Sequence, residues 1–277
     1  MLSVVRGDVR SDPFPHVISE QMLLPSLYER LRADFPTGAT FESSNGETHG
    51  QGSRAGIGTG FDIYRGDTAY DALVARSPAW ASLDAFINST AFIDQFLDVF
   101  GAHLDAAGCS IDVGASTYRS NYIEPRSCLT EKATVSDRVA DIGHKLFGAA
   151  HRDRAVDLFT RLDIQKAIGG YMKPPHCDRP NRLCSLIIYF TDAQAAGIEG
   201  GNLRIYKHHQ AKPVQKYERH PHDDDVEIVA ELAPRQNLGV WFPCSNHSYH
   251  GVTPVTTNGG ARDFLYINIS GQVANLW

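Results

Sequence analysis

Apolar residues recur with a helical period through the first part of the chain. Apolar side chains recur every three or four positions over 20–35, which predicts an amphipathic helix, and over 70–107, which predicts two or three helices, one of them over 89–103. The segment 37–66 is rich in Gly, Ser, Thr and Asn and predicts a long surface loop. The charged, alanine-containing stretch 130–159 is expected to add another helix.

Beyond about residue 163 the spacing of apolar residues changes. Short runs of β-branched and aromatic residues, bounded by Gly, Pro, Asn and Asp, replace the long helical repeats and predict several short strands of a sandwich or barrel. The expected fold is therefore α+β with a mainly β core, a jelly roll backed by N-terminal helices. It forms one domain over 1–277, with helical support and loops in about 1–160 and the jelly roll in about 161–277. The predicted strands are 182–190, 202–206, 226–232, 238–242 and 263–269.

Composition limits the classes of partner and compartment. A formal net charge of -6 and a pI near 6.0 give no basic field for nucleic acid. No apolar run approaches the roughly 18 residues of a membrane span, and the five cysteines contain no CxxC pair. We therefore expect a cytoplasmic protein whose partners are neither nucleic acid nor membrane.

A His-x-Asp pair, His176 and Asp178, is the first candidate for metal chemistry. Alternate side chains of a strand point to the same face, so the two are expected to project together. His247 and His250 are the candidates for a third ligand. We favour His250, because an apolar stretch follows it and it lies twelve positions before Arg262, whereas His247 lies in a polar turn. Two imidazoles and one carboxylate are typical of non-haem Fe(II) oxygenases.

Arg262 begins a predicted strand whose alternation separates two kinds of side chain. Arg262, Phe264 and Tyr266 fall on one face, and aliphatic residues fall on the other. A guanidinium on the pocket side could hold a carboxylate through two hydrogen bonds. On the strand that follows the His-x-Asp pair, Tyr189 either donates to the same carboxylate or is a buried tyrosine bonded to the backbone.

The order of these motifs resembles the prolyl-4-hydroxylase-like branch of the 2-oxoglutarate and Fe(II)-dependent dioxygenases. The resemblance covers roughly residues 160–272 and implies a double-stranded β-helix. It rests on His176-x-Asp178-x-Pro180, the run 182–190, Gly200-Gly201-x-Leu203-Arg204-Ile205, Trp241-Phe242-Pro243, His250-x-Val252-x-Pro254 and Arg262.

By position, the resemblance implies that His176, Asp178 and His250 bind Fe(II). It implies that Arg262 binds the distal carboxylate of 2-oxoglutarate and that Tyr189 assists it. Fe(II), 2-oxoglutarate and O2 are then the expected cofactor and co-substrates. Since Asp178 occupies the carboxylate position, hydroxylation is expected rather than halogenation.

The expected activity is hydroxylation of an unactivated C–H bond of a small metabolite, amino-acid-like or carrier-bound, with release of succinate and CO2. A prolyl or peptide hydroxylase of the same family is the alternative. Two alternatives of other classes are a zinc hydrolase using the same three ligands and a non-catalytic, cupin-like binding module.

Substrate contacts are expected from polar residues before the core and around its mouth. The candidates are Arg119, Asn121, Arg179 and Asn268. Further histidines lie in a polar connection between two predicted strands and are expected to be solvated rather than to hold a metal. They are His208, His209, His220 and His222.

Overall fold

A computed structural model describes residues 1–41, 53–54, 58–124, 154–256 and 260–277. The helices whose full bounds are described lie in the N-terminal half, as expected from the helical period there. No helix among the described residues is long and apolar enough to cross a membrane. The helices are α1 Pro25–Ala33, α2 Thr68–Arg76, α3 Pro78–Ile87 and α4 Thr90–Leu104.

The strands form two sheets that face each other as a double-stranded β-helix. The larger sheet has the order β1-β10-β7-β12-β5-β3-β2, with β4 beside β5, and the smaller has the order β6-β11-β8-β9. The strands are β1 Val17–Ser19, β2 Ser53–Arg54, β3 Gly58–Tyr64, β4 Thr117–Tyr118, β5 Asp157–Ala167, β6 Lys173–His176, β7 Arg182–Tyr189, β8 Leu203–His208, β9 Val226–Leu232, β10 Gly239–Pro243, β11 His250–Val252 and β12 Arg262–Gly271.

Strand β12 shows how the period of two divides the core. Leu265, Ile267 and Ile269 belong to the apolar cluster between the larger sheet and the helices. Phe264, on the opposite face, belongs to the cluster between the two sheets. Arg262 lies on that inner face as well, so the alternation read from the sequence separates the helix-packed side from the site-facing side.

The helices back the larger sheet through aromatic packing on Trp241 of β10. This indole is fully buried, and its ring centroid lies 5.6 Å from that of Phe92, in a stacked pair. Phe96 and Phe100, also on α4, contact the same indole at 5.9 and 5.4 Å. Aromatic pairs of this kind add to the free energy gained by burying the rings. The helical half is thereby fixed to the outer face of the sheet.

Two expectations from the sequence are wrong in detail. The predicted loop 37–66 contains β3, which pairs with β5 along its length. Residues 157–159, assigned to a helix, belong to β5. Both errors share one cause: the inner face of β5 and β3 carries polar and charged side chains, which hide the alternation of a buried strand. The remainder of 37–66, apart from 37–41 and 53–54, and residues 130–153 lie outside the described ranges.

Candidate metal centre

Two strands of the smaller sheet bring the histidines together. His176 ends β6 and pairs in register with His250, which begins β11. Their ring centroids are 4.4 Å apart. Asp178 lies beyond the end of β6 rather than within it, yet its carboxylate turns to the same point. One ligand atom each from His176, Asp178 and His250 falls within 4.8 Å of the others, and no other such group occurs among the described residues.

The hydrogen bonds of both imidazoles leave the same nitrogen free. Nδ1 of His176 donates to the carbonyl of Pro174 at 2.9 Å, and Nδ1 of His250 donates to the carbonyl of Ser248 at 3.0 Å. A backbone acceptor at Nδ1 fixes the tautomer in which Nε2 carries a lone pair. Both rings are therefore set to bind a metal through Nε2, and Nε2 of His250 lies 3.9 Å from Oδ2 of Asp178.

The carboxylate of Asp178 is held by three neighbouring side chains. Oδ2 accepts hydrogen bonds from the Ser185 hydroxyl at 2.6 Å and the Cys244 thiol at 3.3 Å. Oδ1 accepts from the Tyr266 hydroxyl at 3.2 Å. Serine, cysteine and tyrosine come from β7, the end of β10 and β12, so the larger sheet orients a ligand supplied by the smaller one.

The protonation states suit cation binding. Burial lowers the pKa of His176 well below its ordinary value, assisted by the neighbouring His250 and Lys173, and burial also lowers the pKa of His250. Burial would raise the pKa of Asp178, but the imidazoles of His250 and His176 outweigh it and hold that pKa below its ordinary value. At neutral pH the donor set is two neutral imidazoles and a carboxylate, as divalent iron requires.

The competing histidines lie elsewhere. Nε2 of His247 donates to the carbonyl of Pro213 at 3.1 Å and is not part of the triad. His208 is half-buried rather than solvated, with Nε2 3.9 Å from Glu218. The ring of His220 stacks 6.1 Å from that of His176, also outside the metal group.

Arg262 and Tyr189 form a second polar position on the inner face. Nη2 of Arg262 donates to the Tyr189 hydroxyl at 2.8 Å, and the guanidinium lies 4.2 Å from the ring centroid of Phe264. The arginine is only 1% exposed, and its Nε and Nη1 have no hydrogen-bond partner in the described chain. Unpaired guanidinium donors are costly to bury. A bound carboxylate would satisfy them, so this position fits the distal end of 2-oxoglutarate.

The Gly200-Gly201 motif makes room for that arginine. Both residues have a positive φ, 77° and 69°. A Cβ on Gly201 would lie 3.2 Å from Cδ of Arg262 and 3.1 Å from the Val255 side chain, and one on Gly200 would lie 1.8 Å from the carbonyl oxygen of Pro254. Close packing around Arg262 and Pro254 therefore explains why glycine occupies both positions.

The four substrate candidates fall in two places. Arg119 is exposed and pairs with Asp157 at 2.7 Å, and with Asn121 it lines a shallow surface pocket that also includes Tyr118, Ser120, Tyr122 and Gln272. Asn268 is fully buried on the inner face of β12: its Oδ1 accepts from Arg182 at 2.9 Å, and its Nδ2 has no partner within the described ranges. Arg179 is half-buried, and burial together with the Arg182 and Arg219 charges lowers its pKa.

A buried ion network beside the site was missed from the sequence. Oε2 of Glu124 accepts from Arg182 at 2.7 Å and from Arg161 at 3.3 Å, and Arg161 also donates to Asp163 at 2.5 Å. All four side chains are at least 94% buried. The signal that could have indicated part of it is the polar alternation Arg161, Asp163, Gln165 in β5.

Comparison with known proteins agrees with this geometry. Residues 149–269 match the family model described as the 2OG-Fe(II) oxygenase superfamily. No curated protein matches the chain significantly.

Among solved structures, a Pseudomonas putida prolyl-4-hydroxylase is similar at 14% identity and a TM-score of 0.45, covering 93% of this chain and 92% of that one. Prolyl 4-hydroxylase from Phytophthora capsici is similar at 15% identity and 0.44, covering 93% of this chain and 59% of that one. The non-heme alpha-ketoglutarate-dependent carbocyclase SnoK from nogalamycin biosynthesis is similar at 12% identity and 0.45, covering 92% and 79%.

The matched segment includes His176, Asp178 and His250, which could hold a metal ion, and Arg262. The family resemblance read from the sequence is thereby confirmed. The match over residues 149–269 and the His-Asp-His group together support a 2-oxoglutarate-dependent dioxygenase that uses Fe(II), 2-oxoglutarate and O2.

Proposed function

We propose that this enzyme hydroxylates an unactivated C–H bond of a small metabolite. The observation that carries the proposal is the enclosure of the site. His176, Asp178 and His250 are 6%, 9% and 5% exposed, and Arg262 is 1% exposed. A peptide substrate asks for an open groove beside the metal, whereas a small molecule can be enclosed in such a site.

His176, Asp178 and His250 would hold Fe(II), because they offer two Nε2 lone pairs and a carboxylate at one point. Bound Fe(II), with 2-oxoglutarate and O2, supplies the oxidising power that breaks a C–H bond, and the co-substrate leaves as succinate and CO2. Arg262 and Tyr189 anchor the distal carboxylate of the co-substrate and so set the direction in which it reaches the metal.

The remaining walls keep the reaction dry. Phe242, whose ring lies 4.8 Å from that of His250, and the buried side chains of Ile187, Val240 and Phe264 line the space between the sheets. These apolar side chains would keep water away from reactants bound at the triad. The unpaired Nδ2 of Asn268 gives a substrate oxygen one fixed donor on the inner face.

The zinc-hydrolase alternative explains fewer of these features. It uses the same three ligands, but it gives no role to the two unpaired nitrogens of Arg262 or to the glycines packed against that side chain.

The test is a screen for oxygen-dependent succinate formation by the Fe(II)-loaded enzyme. Separate pools of amino acids, lipids, nucleosides and prolyl peptides are supplied, with an Asp178→Ala variant as the control for metal-dependent turnover. We expect stimulation by a small-molecule pool and a product whose mass has increased by one oxygen. Stimulation by prolyl peptides alone would replace the proposal with the peptide-hydroxylase alternative. Loss of two hydrogens instead of oxygen gain would replace hydroxylation with desaturation or ring formation.

A further inference from the structure

Lys173 crosses the space between the two sheets beside the metal triad. It begins β6, three positions before His176, and registers with Val252 of the smaller sheet. Its Nζ lies 5.8 Å from the ring centroid of Tyr266, which belongs to β12 of the larger sheet. The hydroxyl of the same tyrosine contacts Asp178, so the ammonium lies over the ring of a residue that holds a member of the triad.

This ammonium has no ion-pair partner among the residues that the structure describes. Other cations of the same inner region are neutralised by carboxylates: Arg161 by Asp163, and Arg182 by Glu124. On the opposite face of the larger sheet, Lys166 of β5 is likewise paired with Asp263. Lys173 is half-buried and its ammonium faces the Tyr266 ring, so its charge is available to an anion that enters the site.

The charge of Lys173 reaches the whole triad. After burial and the neighbouring imidazole, it is among the causes that lower the pKa of His176, and it also acts to lower the pKa of His250. The side of the site that carries Arg179 is cationic as well, since burial and the charges of Arg182 and Arg219 lower the pKa of Arg179. Asp178, the single carboxylate of the triad, is used as a ligand. The charge of Lys173 is therefore available to another anion.

Lys173 and Arg262 serve different places on the inner face. Arg262 and Tyr266 lie on the same strand, four residues apart, and therefore about 13 Å apart at roughly 3.3 Å per residue. Arg262 packs beside Phe264 and Tyr189 at one end, whereas the Lys173 ammonium lies over Tyr266 and near Asp178. A single carboxylate bound by the guanidinium cannot also neutralise the lysine.

We propose that Lys173 forms a second anion-binding position at the metal centre, which takes a carboxylate. The inference rests on the proposed function, because it places that carboxylate beside an Fe(II) and 2-oxoglutarate site. Two molecules can supply the group: an acidic substrate, or the end of 2-oxoglutarate that faces the metal. In either case the lysine sets the orientation of an anion against the reacting centre.

The variants that test this are Lys173→Met, which keeps the apolar stem, and Lys173→Arg, which restores the charge. Lys207→Met is the matched control, since Lys207 is an exposed lysine whose ammonium is already paired with Asp12 at 2.9 Å. In the first measurement, 2-oxoglutarate is titrated anaerobically into each Fe(II)-loaded protein, and the visible charge-transfer absorption reports binding. A wild-type protein without that absorption would refute the proposed function before any lysine variant is compared.

In the second measurement, each protein is loaded with Zn(II) and 2-oxoglutarate, and its thermal midpoint is recorded with paired probes. The probes are proline and prolinamide, benzoate and benzamide, and hexanoate and hexanamide. If the acids raise the thermal midpoint more than their amides do, the site is acid-selective. The position is assigned to the substrate if this selectivity is lost in Lys173→Met and kept in Lys173→Arg, while 2-oxoglutarate affinity changes less than twofold.

A loss of 2-oxoglutarate affinity of at least tenfold in Lys173→Met, restored in Lys173→Arg, assigns the position to the co-substrate. Two outcomes would overturn the proposal, both with 2-oxoglutarate affinity unchanged in Lys173→Met. In one, the wild type shows no acid selectivity; in the other, acid selectivity survives in Lys173→Met. An effect of equal size in Lys207→Met would also overturn it, because the ammonium of Lys207 is exposed and paired with Asp12.

Discussion

The Tyr266 hydroxyl donates a hydrogen bond to Oδ1 of Asp178 at 3.2 Å, while the Ser185 hydroxyl donates to Oδ2 at 2.6 Å. Ser185 lies on β7 and Tyr266 on β12, so two strands of the larger sheet hold both oxygens of a ligand that follows β6 of the smaller sheet. Partners of this kind orient a metal ligand and tune its basicity. The metal centre is therefore built across the two sheets rather than on one of them.

Removing either hydroxyl should weaken metal binding without abolishing it. We expect the dissociation constant for Co(II), used as a stable substitute for Fe(II), to rise about tenfold to a hundredfold in Tyr266→Phe and in Ser185→Ala. Competition with a coloured chelator measures it, and the Co(II) absorption bands should shift because the carboxylate reorients. Affinities and spectra unchanged from the wild type would show that the two hydroxyls do not position Asp178.

His250 and His247 form a matched pair for testing the third ligand. His250→Ala should reduce Co(II) affinity by more than a hundredfold, since one of three protein ligands is lost. His247→Ala removes only a contact with the carbonyl of Pro213 and should leave affinity within about threefold. Equal losses in the two variants would contradict the ligand set.

The buried histidines should make the metal-free protein sensitive to acid. Burial lowers the folded-state pKa of His176 and His250 below the unfolded value of about 6.5. Below that pH the unfolded chain binds more protons than the folded one, so this stability is present above about pH 6.5 and is lost as pH falls towards the folded pKa values.

Urea unfolding in the presence of a chelator, repeated between pH 7.5 and pH 5, measures this effect. The free energy of unfolding should fall with pH in the wild type and fall less steeply in His176→Asn. An identical pH slope in the two proteins would mean that His176 does not titrate as its burial indicates.

The Glu124 network should matter for stability far more than an exposed ion pair does. Glu124→Ala leaves the buried guanidinium groups of Arg182 and Arg161 without a carboxylate that both contact. Removing one partner of a buried pair costs about 3–5 kcal/mol in the free energy of unfolding. Glu29→Ala, which removes an exposed partner of Arg32, should cost less than about 1 kcal/mol. Similar losses in the two variants would contradict the account of the network.

The parts of the site that could be predicted are those with a local signal. Alternation in β12 separated Arg262 from the aliphatic face, and the strands after residue 182 are bounded by turn residues. Local patterns were insufficient for β5, because its inner face is charged and depends on partners from other strands, among them Glu124. The His-x-Asp pair was expected on one strand, but β6 ends at His176 and Asp178 lies beyond it. The two prolines of β6 are tolerated because it lies at the edge of its sheet.

The substrate side could not be predicted for a different physical reason. Arg119 and Arg179 are both cationic residues near motifs, yet one is an exposed partner of Asp157 and the other is half-buried among further arginines. Which cation remains without a counter-ion depends on tertiary pairing, as the comparison of Lys173 with Arg182 illustrates. No spacing in the sequence carries that information.

The decisive measurement is anaerobic titration of the Fe(II)-loaded protein with 2-oxoglutarate. A weak visible charge-transfer band is expected in the wild type. In Arg262→Ala the dissociation constant for 2-oxoglutarate should rise on the order of a hundredfold, because each lost charged hydrogen bond is worth about 1.5–3 kcal/mol. Absence of the band in the wild type, or the same 2-oxoglutarate affinity in Arg262→Ala, would contradict the account.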